Sequence, residues 1–150
     1  MNCILKLDTM KHYPIVIVDD DNDDCEMLIN SFHEIGVLNE FRCFENPVPA
    51  LEYLKNTTEV PFIIISDINM PKMNGLLFKK AINEDGSIRK RKIPFVFMST
   101  IKENNLVESA YNLSAQGYFE KPNDSNSLKE IATAIIMYWK NSSFNFSSTK

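Results

Sequence analysis

The chain of 150 residues is 44% hydrophobic and 24% charged, the range of an ordinary globular domain with one substantial core. Its 16 basic and 20 acidic residues give a formal charge of −4, which argues against nonspecific nucleic-acid binding by phosphate neutralisation. No apolar run approaches the ~18 residues that span a bilayer, so neither a nucleic acid nor a membrane is an expected partner.

The first 12 residues have little periodicity. Lys6, Asp8 and Lys11 lie within or beside a short apolar patch with no small-residue cleavage site, so a cytoplasmic protein is expected rather than a secreted one. Cys3, Cys25 and Cys43 form no C-x-x-C pair and read as unpaired small hydrophobes in a reducing compartment.

Strand and helix signals then alternate. Residues 14–19, 40–45, 62–66, 94–99 and 117–120 read as strands, and the first, third and fourth are continuously apolar, as in a parallel sheet covered on both faces. The first helix carries Cys25, Leu28, Ile29, Phe32 and Ile35, with Gly36 as its stop. Asn46 and Pro47 cap a second helix bearing Val48, Leu51 and Leu54. Leu77, Phe78, Ala81 and Ile82 mark a third, and Leu106, Val107, Ala110 and Leu113 a fourth. Ser127 to Glu130 has the form of a capping box opening a fifth helix, along which Leu128, Ile131, Ile135, Tyr138 and Trp139 share one face. Five alternations predict one α/β domain over 13–140, with right-handed crossovers, helices on both faces of a parallel sheet, and frayed tails at 1–12 and 141–150.

The chemistry lies at the strand ends. Open parallel sheets bind ligands outside the carboxyl ends of their strands. Asp19 and Asp20 end the first strand and Asp67 the third. If those strands are neighbours, three carboxylates converge, and two unit charges ~4 Å apart repel by about 4 kcal/mol at an effective dielectric of ~20. A hard cation such as Mg²⁺ relieves this repulsion through oxygen ligands and waters. Ser99 closes the fourth strand with a hydroxyl, and Lys121, followed by Pro122, closes the fifth with an ammonium. An aspartate among cations and donors suits a phosphoryl group, and Asp67 is placed to attack one and form an aspartyl phosphate. Asp21, Asp23 and Asp24 read as helix-start residues favoured by the helix dipole rather than as extra ligands. His12 and His33 are isolated and carry no site.

The set Val18-Asp-Asp20, Ser66 to Gly75 with its D-x-x-M-P-x-x-x-G pattern, Met98-Ser-Thr100 and Gly117 to Pro122 resembles the receiver domain of two-component response regulators. The resemblance implies a (βα)₅ flavodoxin-like fold with strand order 2-1-3-4-5. It implies Asp67 as phosphoacceptor, and Mg²⁺ held by Asp20, Asp67 and the main-chain carbonyl of Asn69, with Asp19 acting through a metal-bound water. Lys121 and Ser99 would bind the phosphoryl group, Tyr118 would report the switch, and Met70, Pro71 and Gly75 would shape the loop after Asp67. Thr100 stands where alanine is common, beside the phosphoryl site. The segment 83–94, with the early Asp-Asn-Asp-Asp run and Met137 to Lys140, is similar to the small regulators paired with bacterial phytochromes; within this loop Arg89, Lys90, Arg91 and Lys92 read as solvated rather than as a partner or dimer contact.

The implied function is a single-domain switch, not an enzyme with an external substrate. It would take a phosphoryl group from a sensor histidine kinase or a histidine phosphotransfer protein and change a surface read by a downstream protein or a second copy. That surface would lie around the fourth helix, fifth strand and fifth helix. Two alternatives stay open: an interaction module that does not use its pocket, and a Mg²⁺-dependent phosphatase with an aspartyl intermediate. Against the latter, Asn69 occupies the position where the haloacid-dehalogenase type carries its second aspartate.

Overall fold

The computed structural model describes residues 12–142. Five strands, β1 (Ile15–Val18), β2 (Phe41–Phe44), β3 (Ile63–Ser66), β4 (Phe95–Ser99) and β5 (Gly117–Glu120), form one parallel sheet in the order β2-β1-β3-β4-β5. Among the described residues six helices connect or follow them: α1 (Asn22–Glu34), α2 (Pro47–Asn56), α3 (Gly75–Glu84), α4 (Gly86–Arg89), α5 (Asn104–Asn112) and α6 (Ser125–Asn141). This is the expected doubly wound α/β architecture with the expected order.

Alternate residues along each strand feed opposite cores. Ile15, Ile17, Ile63, Ile65, Val96 and Met98 face α1 and α6, against Leu28, Phe32, Leu128, Ala132 and Ile135. Val16, Val18, Ile64, Phe95 and Phe97 face the other way, onto Ala50, Leu54, Phe78, Ile82, Ile88 and Ala110. Strands β1, β3 and β4 are buried throughout, whereas the edge strands β2 and β5 are part-exposed. Hence only the three central strands read as unbroken apolar runs.

Several local expectations need correction. The last helix begins at Ser125: Asp124 is its cap, accepting from the Ser127 N–H at 2.7 Å and the Ser127 hydroxyl at 2.9 Å. A carboxylate in the right place satisfies the free N–H better than the serine three residues on. Val48 and Leu77, placed on apolar stripes, are exposed, because α2 and α3 bury Ala50, Leu54, Phe78 and Ile82 instead. The segment 83–94 is no simple loop. Asp85 caps α4, Ile88 is buried in the core, and the Arg91 guanidinium donates to the Thr57 carbonyl at 2.8 Å. Cys25 and Cys43, read as unpaired, are joined as a disulfide between α1 and β2. Asn141, assigned to the frayed tail, ends α6; the remaining tail expectations, and Cys3, fall outside the described residues except at His12, which is exposed, and Ser142.

Gly75 opens α3 directly beneath the loop that leaves β3. Its N–H donates to the Ile68 carbonyl at 2.7 Å, and a Cβ at this position would run into the Asp67 carbonyl oxygen and meet the Ile68 Cα at 2.9 Å. Backbone has no room to yield there. Gly75→Ala is therefore expected to lose ~1–3 kcal/mol of stability by overpacking. Gly86→Ala, whose Cβ would meet nothing nearer than the Arg89 guanidinium at 3.9 Å, should be neutral or better. Urea midpoints of the two variants test the contrast.

Candidate functional site

Register delivers the acids. Val18 aligns with Phe44 on one side and Ser66 on the other, so Asp19 and Asp67 are the next residues of adjacent strands. The ladder extends one bond past each strand: Asp19 N–H donates to the Phe44 carbonyl at 3.0 Å, and Asp67 N–H to the Val18 carbonyl at 2.9 Å. On the far side Ser99 aligns with Glu120, and Lys121 N–H donates to the Ser99 carbonyl at 2.8 Å. Each functional side chain thus projects from backbone that is still hydrogen-bonded to the sheet.

The side chains converge. Lys121 Nζ lies 2.7 Å from Asp19 Oδ2, 2.9 Å from Asp24 Oδ2 and 3.2 Å from Asp67 Oδ2. Asp67 Oδ1 accepts from the Ile68 N–H at 2.7 Å, and Asp19 Oδ1 from the Asp21 N–H at 3.0 Å. Burial raises the Asp19 pKa above the usual carboxylate value, opposed by the hydrogen bonds from Lys121 and Asp21. For Lys121, burial alone would lower the pKa; hydrogen bonds to Asp19 and Asp24, with the charges of Asp19 and Asp67, outweigh it and the net shift is upward.

Asp19, Asp20 and Asp67 each present a carboxylate oxygen within 4.8 Å of the others. This oxygen-only donor set, exposed at Asp20, fits a hard divalent cation that keeps several waters. Beside it a cavity of about 150 Å³ is lined at its mouth by Asp19, Asp24, Asp67, Thr100 and Lys121, over an apolar floor that includes Ile65 and Met98. At ~30 Å³ per water, it has room for a phosphoryl group and solvent.

Other residues singled out from the sequence are placed less directly. Ser99 is buried, and its hydroxyl accepts from the Ile101 N–H at 3.2 Å, engaged with its own loop. The Tyr118 ring packs near Phe97 at 6.3 Å between centroids, and its hydroxyl donates to the Ile101 carbonyl. Burial raises its pKa, against a hydrogen bond with Ser99. Asn69 is exposed and Met70 buried in the loop after Asp67. His12 and His33 are exposed, and His33 sits edge-on to Phe41 at 5.5 Å.

Asp24 was assigned only to the helix start, yet it shares Lys121 with Asp19 and Asp67. Helical side chains lean toward the N-terminus, so an acid at the third position of α1 reaches back over the strand ends. That direction was the available signal.

The profile of the response regulator receiver domain matches residues 15–133. Among curated relatives, the probable methanogenesis regulatory protein FilR2 of Methanothrix harundinacea is 26% identical over 129 residues, covering 83% of this chain and 82% of the relative. By contrast, the chain spans 25% of the DNA-binding transcriptional regulator NtrC of Escherichia coli, at 29% identity. Among solved structures, the phosphorylated cyanobacterial phytochrome response regulator RcpA superposes with a TM-score of 0.79 at 24% identity, covering 89% of this chain and 97% of that one. The Mn²⁺-bound form of response regulator Rcp1 gives 0.76 at 20% identity, covering 88% and 97%. At these identities the structural likeness establishes the fold.

The ammonium offsets the acids without a metal. Lys121→Met should therefore melt below the wild type in a chelator and gain more in Tm on adding Mg²⁺. Equal gains in the two proteins, read by calorimetry, would contradict that role.

Proposed function

The chain belongs to the response regulator receiver family, and from that premise we propose that it is a phosphorylation switch whose acceptor is Asp67. The reading rests on one observation above others: three strand ends bring Asp19, Asp67 and Lys121 into direct contact.

The donor is a phosphohistidine on a sensor histidine kinase or a histidine phosphotransfer protein. An Asp67 carboxylate oxygen forms the new P–O bond as the P–N bond breaks; the electron pair returns to the imidazole nitrogen, which takes up a proton. Asp20, Asp67 and the main-chain carbonyl of Asn69 would hold Mg²⁺, with Asp19 acting through a bound water. When bound, the ion supplies charge neutralisation for the phosphoryl oxygens. Lys121 stands within reach of those same oxygens and orients them.

Ser99 accepts from the Ile101 N–H, which leaves its own O–H to donate to the phosphoryl group. Drawing Ser99 toward the phosphoryl group would carry with it the loop after β4, to which Tyr118 is tied through the Ile101 carbonyl. A new dianion would therefore bias the position of that loop. The surface that changes comprises α5, β5 and α6, where Tyr111, Met137 and Tyr138 are exposed, and a protein partner or second copy would read it. The reaction is self-directed, with no external substrate turned over.

Incubation with Mg²⁺ and acetyl phosphate, followed by intact mass, tests the assignment. A single phosphoryl adduct is expected for the wild type, and none for Asp67→Asn or with a chelator. An adduct that persists in Asp67→Asn would place the acceptor elsewhere. Thr100 is exposed and lines the cavity, where its side chain would stand in the way of an attacking water. Thr100→Ala should shorten the adduct lifetime, measured by loss of mass after donor removal; an equal lifetime would dismiss that role.

A further inference from the structure

Lysine has three N–H donors, and Lys121 spends each on a different carboxylate. A phosphoryl donor approaching Asp67 therefore meets an ammonium with no free donor. Transfer removes the Asp67 carboxylate charge and passes that contact to the phosphoryl group, so any second donor has to come from Asp19 or Asp24, and these differ in what release entails. Asp19 is 8% exposed and would be left buried with an unbalanced charge. Asp24 is 38% exposed and returns to water at small cost.

Asp24 is also held firmly where it is. Asp21 caps α1 through Oδ1, which accepts from the Asp23 N–H at 2.9 Å and the Asp24 N–H at 3.3 Å. The Asp21 N–H in turn donates to Asp19 Oδ1. The backbone that carries Asp24 is thus fixed by hydrogen bonds to the site, and its carboxylate meets Lys121 without help from a flexible loop.

We propose that Asp24 is a positioning residue that competes with the phosphoryl group for Lys121 and so sets how readily the site is loaded. This deepens the assignment of Asp67 as acceptor and rests on it. In the unloaded site Asp24 holds the ammonium beside the acids; in the loaded site the phosphoryl oxygens take its place and Asp24 turns to solvent.

The competition predicts a gain of function on removing the carboxylate. The 150-residue chain is compared as wild type, Asp24→Asn, Asp24→Glu and Asp23→Asn, each checked by its melting midpoint. Asp24→Ser provides a second neutral variant should the asparagine fold poorly. Two quantities are measured: the affinity for the phosphoryl mimic beryllofluoride in Mg²⁺, by isothermal titration, and the rate of adduct formation with acetyl phosphate, by intact mass. Loss of a half-exposed ion pair corresponds to about two- to fivefold in each. Asp24→Glu should return both values toward wild type. Asp23→Asn removes the same charge from the neighbouring position and should give a distinctly smaller gain. The proposal is overturned if Asp24→Asn gains no more than Asp23→Asn, or if glutamate fails to restore the wild-type values. Those outcomes leave the acceptor assignment intact when the wild type still forms its adduct. A wild type that forms none overturns both.

Discussion

The site depends on one ammonium facing three carboxylates. Lys121 comes from the strand end farthest from Asp19, yet its Nζ lies within 3.2 Å of Asp19, Asp24 and Asp67. Without an opposite charge, carboxylates brought this close in a part-buried setting would repel by several kcal/mol, on the order of 4 for each pair at ~4 Å. The sheet forces the encounter, because parallel register places Asp19 and Asp67 side by side. The fold can keep those residues only with a cation among them, and β5 brings one.

Rigidity and motion are divided between different parts of the same rim. Asp19, Asp67 and Lys121 stand on backbone that continues the sheet ladder, and Gly75 lets α3 pack directly against the Asp67 carbonyl. Little can shift there. Ser99 and Tyr118, by contrast, are joined through Ile101 in the loop after β4, where Thr100, Lys102 and Glu103 are exposed. On the proposed reading, an event at the fixed acids reaches the surface through this loop. The chemistry needs the first property, and a switched surface needs the second.

The sequence disclosed what burial and strand ends impose. The apolar runs of β1, β3 and β4 are legible because a strand covered on both faces admits few polar residues, and the acids or hydroxyl that end those runs stand out against them. Asp19, Asp20, Asp67 and Ser99 were found that way, and Lys121 beside Pro122 by the end of the fifth run. Contacts that depend on side-chain direction were hidden. Asp24 looked like one more acid in a helix start, where the dipole favours acids whatever else they touch. The Asp124 cap was masked by a serine three residues on that offers a nearly equivalent pattern. The stripe at Val48 and Leu77 misled because a helix lying on a sheet buries a narrow arc, and neighbouring apolar residues fall outside it. Cys25 and Cys43 are 18 residues apart, and only the packing of α1 beside β2 brings them together.

Charge at the rim also bears on the order of events. Asp19, Asp20, Asp24 and Asp67 against Lys121 leave a formal excess of three negative charges, into which a phosphoryl donor brings more. A lysine alone cannot make that approach favourable, since its donors are already committed. A divalent cation at Asp19, Asp20 and Asp67 would remove two of the three, so loading is expected to follow ion binding rather than precede it. Phosphorylation of Asp67 would add one further negative charge to a site whose ammonium, among the described residues the only one in contact with these acids, is shared. The remaining need is for neutral donors, and the Ser99 hydroxyl is buried at the adjoining strand end. A dianion in a confined, acid-rich crevice favours any neutral donor that can reach it, and the Ser99 O–H, which the Ile101 N–H does not occupy, stands at the end of the next strand.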